Sequence, residues 1–247
     1  MPPARPLGED AMLPEIETSS DVSRGNIPSF PISSDKTGLY AAVDLGTNSC
    51  RMLIAQPRGS QFTIVDSFSK TVQLGTGLET SGRLSRASMV RTLQALRICQ
   101  KKIEQHSVLR MRLVATEAAR RARNSQDFLR QVRRETGLQI EIIAPEEEAR
   151  LAVISCAPLV LPKTEQLLVV DIGGGSTELV WVDLSAVEPQ ERAKAIMLLH
   201  RGFTGQPSNG AKVVDWISVP LGVATLKEQF QDVDDDAARF ALMSWFF

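Results

Sequence analysis

Short apolar runs that end in glycine-rich segments mark two similar places along the chain. Residues Leu39–Val43 lead into Asp44-Leu-Gly-Thr-Asn-Ser49, and Leu167–Val170 lead into Asp171-Ile-Gly-Gly-Gly-Ser176. A second apolar run follows each segment, over Arg51–Gln56 and Glu178–Val182. A strand, a tight glycine turn and a second strand indicate a β-hairpin. Because the two copies lie 127 residues apart, they predict a duplicated domain rather than an array of short repeats.

Between the hairpins, periods typical of strands alternate with periods typical of helices. Ser85 is a suitable N-cap for a helix with one apolar stripe, and Gly137 is a suitable stop for another helix. The predicted elements are a strand over Phe62–Ser69, the helix after Ser85, a strand through Met111–Ala115, a helix over Gln126–Thr136, a strand over Ile140–Ile143 and a helix from Pro145 to about Cys156. Strands in a hairpin followed by strands alternating with helices predict an α/β fold.

Composition narrows the class of protein. Hydrophobic residues make up 43% of the 247 residues, enough for one large domain or two small ones. No run approaches the roughly 18 apolar residues of a membrane span. Three cysteines far apart argue against a disulfide scaffold or a zinc cluster and, without a secretory signal, predict a cytoplasmic protein. Residues 1–38, rich in Pro and Ser and without apolar periodicity, predict a disordered tail.

The net charge of −1 hides a basic segment. Residues 83–134 carry 14 Lys and Arg residues against three acidic ones, an excess of 11 positive charges. Such a segment indicates either an anionic partner or a solvated basic helix face, and charge alone favours neither.

The two glycine segments have residues suited to phosphate. Glycine lets backbone N–H groups approach a phosphate closely, and neighbouring hydroxyl groups add donors. The hydroxyl residues are Thr47, Ser49, Ser176 and Thr177. Asp44 and Asp171 would repel a bare phosphate, so they predict a divalent cation, Mg²⁺, between them, with Glu178 in support. The alternative interpretation is that the glycines make hairpin turns that the aspartates cap.

Five segments together resemble the exopolyphosphatase/guanosine pentaphosphate phosphohydrolase (Ppx/GppA) family, within the actin-like, sugar-kinase and Hsp70-type superfamily. They are Asp44–Arg51, Val114-Ala-Thr-Glu-Ala-Ala-Arg120, Glu147-Glu-Ala-Arg-Leu151, Asp171–Glu178 and Ser218-Val-Pro-Leu-Gly222. The resemblance implies two ribonuclease-H-like domains with an interdomain cleft, over residues 39–144 and 145–247. Since family members continue well beyond this length, it also implies that the second domain is incomplete.

The resemblance also assigns roles to residues. Glu148 matches the catalytic base that activates water, and Arg120 matches an arginine that contacts phosphate. From the residues alone, Glu146, Glu147 and Glu148 are interpreted as acidic residues that favour a helix dipole, and only the resemblance changes this interpretation, for Glu148. The remaining phosphate-binding matches are Gly46, Thr47, Asn48 and Ser49 in the first loop and Gly173, Gly174, Gly175, Ser176 and Thr177 in the second. The implied metal ligands are Asp44, Asp171 and Glu178.

The implied activity is hydrolysis of a terminal phosphoanhydride in polyphosphate or guanosine pentaphosphate. The sequence does not distinguish between these two substrates. The alternatives are another ATPase or kinase of the superfamily and a non-enzymatic polyanion binder. We expect no membrane partner and no specific nucleic acid, and a homodimer is one expected assembly. Because the chain ends on Trp245, Phe246 and Phe247 and lacks a later glycine loop, we also expect the 247-residue form to be weak or inactive and to self-associate.

Overall fold

The computed structural model describes residues 38–58, 61–199 and 210–246. The predicted tail therefore lies outside the described residues, apart from Gly38. Residues 205–210, whose Gly, Pro, Ser and Asn content predicts a loop, also lie outside them, apart from Gly210.

The first half of the chain builds a five-stranded sheet in the order β3-β2-β1-β4-β5. Its strands are β1 (Tyr40–Leu45), β2 (Ser49–Arg58), β3 (Gln61–Thr71), β4 (Arg110–Ala115) and β5 (Glu141–Ile142). β1, β2 and β3 pair antiparallel, whereas β4 and β5 extend the sheet in parallel beside β1. The strand predicted over Ile140–Ile143 is confirmed but is only two residues long.

Helices cover one face of this sheet. They are α1 (Leu78–Ser81), α2 (Arg86–Gln105), α3 (Glu117–Arg121) and α4 (Ser125–Thr136). The predicted caps are confirmed, because the Ser85 hydroxyl accepts from the Ser88 N–H and Gly137 adopts a left-handed conformation after α4. Leu96 and Cys99 of α2 pack in the same core as the alternate β1 residues Val43 and Leu45.

The second half of the chain builds a three-stranded antiparallel sheet in the order β6-β7-β8. Its strands are β6 (Gln166–Ile172), β7 (Thr177–Asp183) and β8 (Lys212–Val219), and its helices are α5 (Pro145–Ser155), α6 (Arg192–Met197), α7 (Val223–Gln229) and α8 (Asp236–Phe246). The polar stretch over Pro189–Asp215 contains α6 and the start of β8. Its apolar residues Ala193, Ala195 and Ile196 are buried, because they complete the second core.

Each of the two sheets contains a hairpin with the same strand register, as the internal repeat predicts. Leu45 lies opposite Cys50 in the first hairpin, and Ile172 lies opposite Thr177 in the second, which is the same register shifted by 127 residues. The chain after the third strand also repeats, with Val72-Gln-Leu-Gly75 after β3 and Val219-Pro-Leu-Gly222 at the end of β8. A short helix and then a longer helix follow in both halves, so α7 and α8 occupy the chain positions of α1 and α2.

Each sheet has its own hydrophobic core. One core extends from Ala41 to Leu138, and the other extends from Ala149 to Ala211. The boundary near residue 144 stays a prediction, although α5, just after it, packs on the second sheet. Among the described residues, no helix is both long and apolar enough to cross a bilayer.

Candidate functional site

The two glycine loops meet in the folded chain. In each loop the first glycine closes a tight turn, with Gly46 N–H donating to the Ser49 carbonyl at 2.9 Å and Gly173 N–H donating to the Ser176 carbonyl at 2.8 Å. A Cβ placed on Gly174 would lie 3.1 Å from the Asn48 Cβ. The two loops therefore touch, and the close approach requires glycine.

The contact between the loops leaves one polar atom without a partner. A Cβ on Gly175 would collide with the Thr47 hydroxyl oxygen. That oxygen is buried and has no hydrogen-bond partner among the described residues. Because an unsatisfied buried hydroxyl is costly, it is available to a ligand that enters between the loops.

Backbone hydrogen bonds hold the second loop on α7. Val223 N–H donates to the Gly173 carbonyl at 3.0 Å, and Ala224 N–H donates to the Gly174 carbonyl at 2.8 Å. The Thr177 hydroxyl donates to the Leu221 carbonyl at 2.7 Å, so this side chain supports the loop from behind. The first loop is held in a related way, because Gly75 N–H donates to the Thr47 carbonyl at 3.0 Å.

Glu148 and Arg120 form a pair beside the loops. Arg120 Nη1 donates to Glu148 Oε2 at 2.8 Å and to the Ile143 carbonyl at 2.8 Å. Glu148 stands in the first turn of α5. Burial raises the pKa of Glu148 to about 7, against the lowering effect of Arg120, and the nearby charges of Glu178 and Asp44 raise it further. A carboxylate with a pKa near neutrality is suited to accept a proton.

Glu147, the neighbour of Glu148, has the opposite electrostatic environment. Arg150 Nε donates to Glu147 at 2.7 Å, and Arg112 Nη1 donates at 2.9 Å. Arg150 above all, and then Arg112, lower the pKa of Glu147 to about 2. Glu147 therefore stays ionised as a structural anion, and of these two glutamates only Glu148 is suited to proton transfer.

Glu117 is a site residue that the sequence analysis did not single out. It is buried and accepts from Arg120 Nη2 at 2.8 Å, so Arg120 joins Glu117 to Glu148. Its Cγ would lie 3.1 Å from a Cβ on Gly175. Glu117 follows β4, which is parallel to β1, and the carboxyl ends of parallel strands meet at one edge of a sheet. That topology is the signal that would have predicted it.

A cavity of about 440 Å³ opens beside these groups, between the two halves of the chain. It is lined by Glu117, Pro145, Trp216, Ile217, Ser218 and Pro220.

The expected metal ligands carry oxygen donors of the kind that Mg²⁺ prefers. Burial raises the pKa of Glu178, which accepts from the Ser218 hydroxyl at 2.8 Å, against the lowering effect of hydrogen bonds from Ser218 and Ser176. Burial likewise raises the pKa of Asp44, against the lowering effect of Arg51, and the charge of Asp171 raises it further. A cation would relieve this repulsion. Within the described ranges, no group of three or more Asp, Glu, His or Cys side chains is arranged to hold a metal ion, so a cation here would depend on phosphate oxygens and water for most of its ligands.

Much of the basic segment is paired with acidic groups. Six of its 14 basic residues form ion pairs with carboxylates: Arg97, Lys102, Arg112, Arg120, Arg121 and Arg130. Several partners, such as Glu135, Asp66 and Glu79, lie outside the segment in sequence. The local excess of positive charge is therefore smaller in the folded chain than in the sequence.

Known proteins resemble this chain over most of its length. The model of the Ppx/GppA phosphatase family matches residues 53–241. A crystal structure of the Aquifex aeolicus family member is 35% identical to this chain, with a TM-score of 0.58. The match covers 78% of this chain and 54% of the Aquifex chain. A structure of the Aquifex aeolicus PPX-GPPA enzyme is 33% identical to this chain, with a TM-score of 0.60. The match covers 85% of this chain and 61% of the Aquifex chain.

An exopolyphosphatase from Cytophaga hutchinsonii shares the fold at 20% identity, with a TM-score of 0.63 and 84% and 59% of the two chains covered. The chain thus spans between half and two thirds of the length of these structures. The predicted α/β fold and the family resemblance are both confirmed. The chain belongs to the Ppx/GppA phosphatase family.

Proposed function

We propose that this chain contributes the reacting groups of a hydrolase that releases terminal phosphate from inorganic polyphosphate or guanosine pentaphosphate. The observation that carries the proposal is the meeting of the two glycine loops beside Glu148, which Arg120 holds in place. Two adjoining glycine loops, a half-buried proton acceptor and an arginine fork together suit attack by water on phosphorus. The relatives called exopolyphosphatase support this substrate class.

In the proposed reaction the loops bind the terminal phosphate. Backbone N–H groups from Thr47–Ser49 and Gly174–Ser176 and the unpartnered Thr47 hydroxyl donate to phosphate oxygens, while the N–H groups of Gly46 and Gly173 close the turns of the loops. Bound phosphate competes with Glu117 and Glu148 for the donors of Arg120, whose fork suits two phosphate oxygens at once.

Glu148 then accepts the proton of the attacking water. The water oxygen bonds to the terminal phosphorus while the bond from phosphorus to the bridging oxygen breaks, and the shortened chain leaves with that oxygen. Mg²⁺, when held by Asp44, Asp171 and Glu178, would neutralise charge on the phosphate oxygens. Glu147, ionised and paired, keeps the first turn of α5 in place.

The test is the rate of phosphate release by Glu148→Gln with polyphosphate and with guanosine pentaphosphate in Mg²⁺. We expect a loss of about 100-fold or more, the usual scale for a general base, with little change in polyphosphate binding. Glu146→Gln is the matched control, because it removes a charge from the same helical turn, and it should change the rate little. A Glu148→Gln protein with an unchanged rate would defeat the assignment. Retention of polyphosphate without any turnover by the native chain would instead indicate the non-enzymatic polyanion binder.

A further inference from the structure

One hydrogen bond joins helix α7, in the second half of the chain, to the segment just before α1 in the first half. The Glu228 carboxylate accepts from the Gly77 N–H at 3.1 Å, although 151 residues separate the two in sequence. The contact is partly buried, and a hydrogen bond to a charged acceptor is stronger where water is partly excluded. Glu228 therefore ties the two halves together at a point outside α5.

A positive charge of the first half also attracts Glu228. Arg121 of α3 donates to both carboxylate oxygens of Glu79 in α1, at 2.6 and 2.8 Å. Glu79 above all raises the pKa of Arg121, against the lowering effect of burial, and the charges of Glu117 and Glu228 raise it further. An amide and a guanidinium group of the first half thus both favour the ionised Glu228 side chain.

Backbone hydrogen bonds continue from both ends of this contact to the two glycine loops. In the first half, Gly75, two residues before Gly77, donates its N–H to the Thr47 carbonyl of the first loop at 3.0 Å. In the second half, the N–H groups of Val223 and Ala224, at the start of α7, donate to carbonyls of the second loop at 3.0 and 2.8 Å. The hydrogen bond from Gly77 to Glu228 is the step of this series that crosses between the halves.

We propose that Glu228 is a positioning residue, which holds α7, and with it the second glycine loop, against the first half of the chain. The side chains of α7 do not anchor the helix in the second core, because Leu226, its buried residue, belongs to neither core. The placement of α7 therefore depends on the hydrogen bonds at its start and on Glu228 in its last turn. This inference rests on the proposed function, because it concerns the same two loops.

The effect on catalysis is an effect on substrate binding. Molecules in which the two loops touch can bind one phosphate group between them, and removal of the Glu228 contact lowers the fraction of such molecules. KM rises as the inverse of that fraction, whereas saturating substrate restores the contact between the loops and leaves kcat nearly unchanged. The loss of a hydrogen bond to a charged group corresponds to about a 10-fold change in such an equilibrium.

The first test follows backbone amide signals of the native protein and of variants by nuclear magnetic resonance. Glu228→Ala removes the acceptor, and we expect it to move the signals of Gly77 and also those of Asn48 and Gly174, where the loops touch. Glu228→Gln keeps a side-chain oxygen that accepts, so only the Gly77 signal should move. Gln229→Ala, at an exposed position of the same turn, is the matched control and should move none of them. Unmoved Asn48 and Gly174 signals in Glu228→Ala would overturn the proposal.

The second test is the kinetics of phosphate release from polyphosphate in Mg²⁺. We expect Glu228→Ala to raise KM by about 10-fold with kcat within about 2-fold of the native value, and we expect a nearly native KM for Glu228→Gln and Gln229→Ala. A role confined to stability would lower kcat with the amount of folded protein and leave KM unchanged, and that result also overturns the proposal. If the native protein releases no phosphate, the proposed function fails, whereas the amide signals still decide the role of Glu228.

Discussion

Replacing Glu147 by Gln should destabilise the chain by breaking an ionic link between its two halves. Glu147 accepts from Arg112 of β4 at 2.9 Å and from Arg150 of α5 at 2.7 Å. Arg150 also donates to the Leu199 carbonyl, just after α6, at 3.0 Å. One carboxylate therefore joins the first sheet to the helices of the second core.

The pKa of Glu147 gives the magnitude. It falls from 4.5 to about 2 on folding, which corresponds to about 3 kcal/mol at roughly 1.4 kcal/mol per tenfold change in the acid constant. The Arg112 side chain is 34% exposed, so solvent screening reduces this contribution to about 1–2 kcal/mol. Because the folded pKa is the lower one, the stabilisation is complete above pH 4.5 and disappears as the pH falls towards 2.

The assay is urea unfolding followed by circular dichroism, at pH 7 and at several values down to pH 3. We expect Glu147→Gln to lower the free energy of unfolding by about 1–2 kcal/mol at pH 7, with a difference that narrows below pH 4.5. Glu146→Gln is the control, because it removes a charge from the same turn of α5. If the two variants unfold alike at pH 7, or if the difference persists unchanged at pH 3, the reasoning is refuted.

Three further predictions concern the site. Gly175→Ala would push a methyl group into the Thr47 hydroxyl and should reduce the rate of phosphate release by at least about 10-fold. Gly46→Ala, for which the nearest contact of the added methyl group is 3.4 Å, should reduce the rate less. Equal losses of rate would contradict this prediction. Glu117→Gln removes the carboxylate that holds Arg120 Nη2, so we expect a changed KM for polyphosphate in a phosphate-release assay, and unchanged kinetics would rule out a role in positioning. EDTA should abolish phosphate release and added Mg²⁺ should restore it; full activity in EDTA would exclude the metal.

Local patterns predicted the secondary structure well because caps and periodicity act over a few residues. The Ser85 hydroxyl caps α2 and Gly137 ends α4, as their residue types indicate. The repeat of the hairpin was also visible, since Asp44–Ser49 and Asp171–Ser176 share a pattern that specifies a tight turn. Polar residues dilute the apolar pattern over Pro189–Asp215, so neither α6 nor the start of β8 was predicted there.

The opposite pKa shifts of the two site glutamates could not be predicted from neighbouring residues in the sequence. Glu147 and Glu148 are adjacent and share the same helical turn, yet their pKa values move in opposite directions. Arg150, three residues later on the same helix, and Arg112, from β4, lower the pKa of Glu147, whereas burial raises the pKa of Glu148 against the effect of Arg120. Glu117 likewise joins the site only because β4 lies parallel to β1.

The sequence by itself determined the elements, the duplicated hairpin and the family, because each of these is encoded in short-range pattern. The tertiary structure decided which glycines touch, with Gly174 and Gly175 of the second loop against Asn48 and Thr47 of the first. It also decided that burial raises the pKa of Glu148 while two arginines lower the pKa of Glu147. Burial and charge pairing depend on groups that come together only through long-range packing, so no local pattern can assign them.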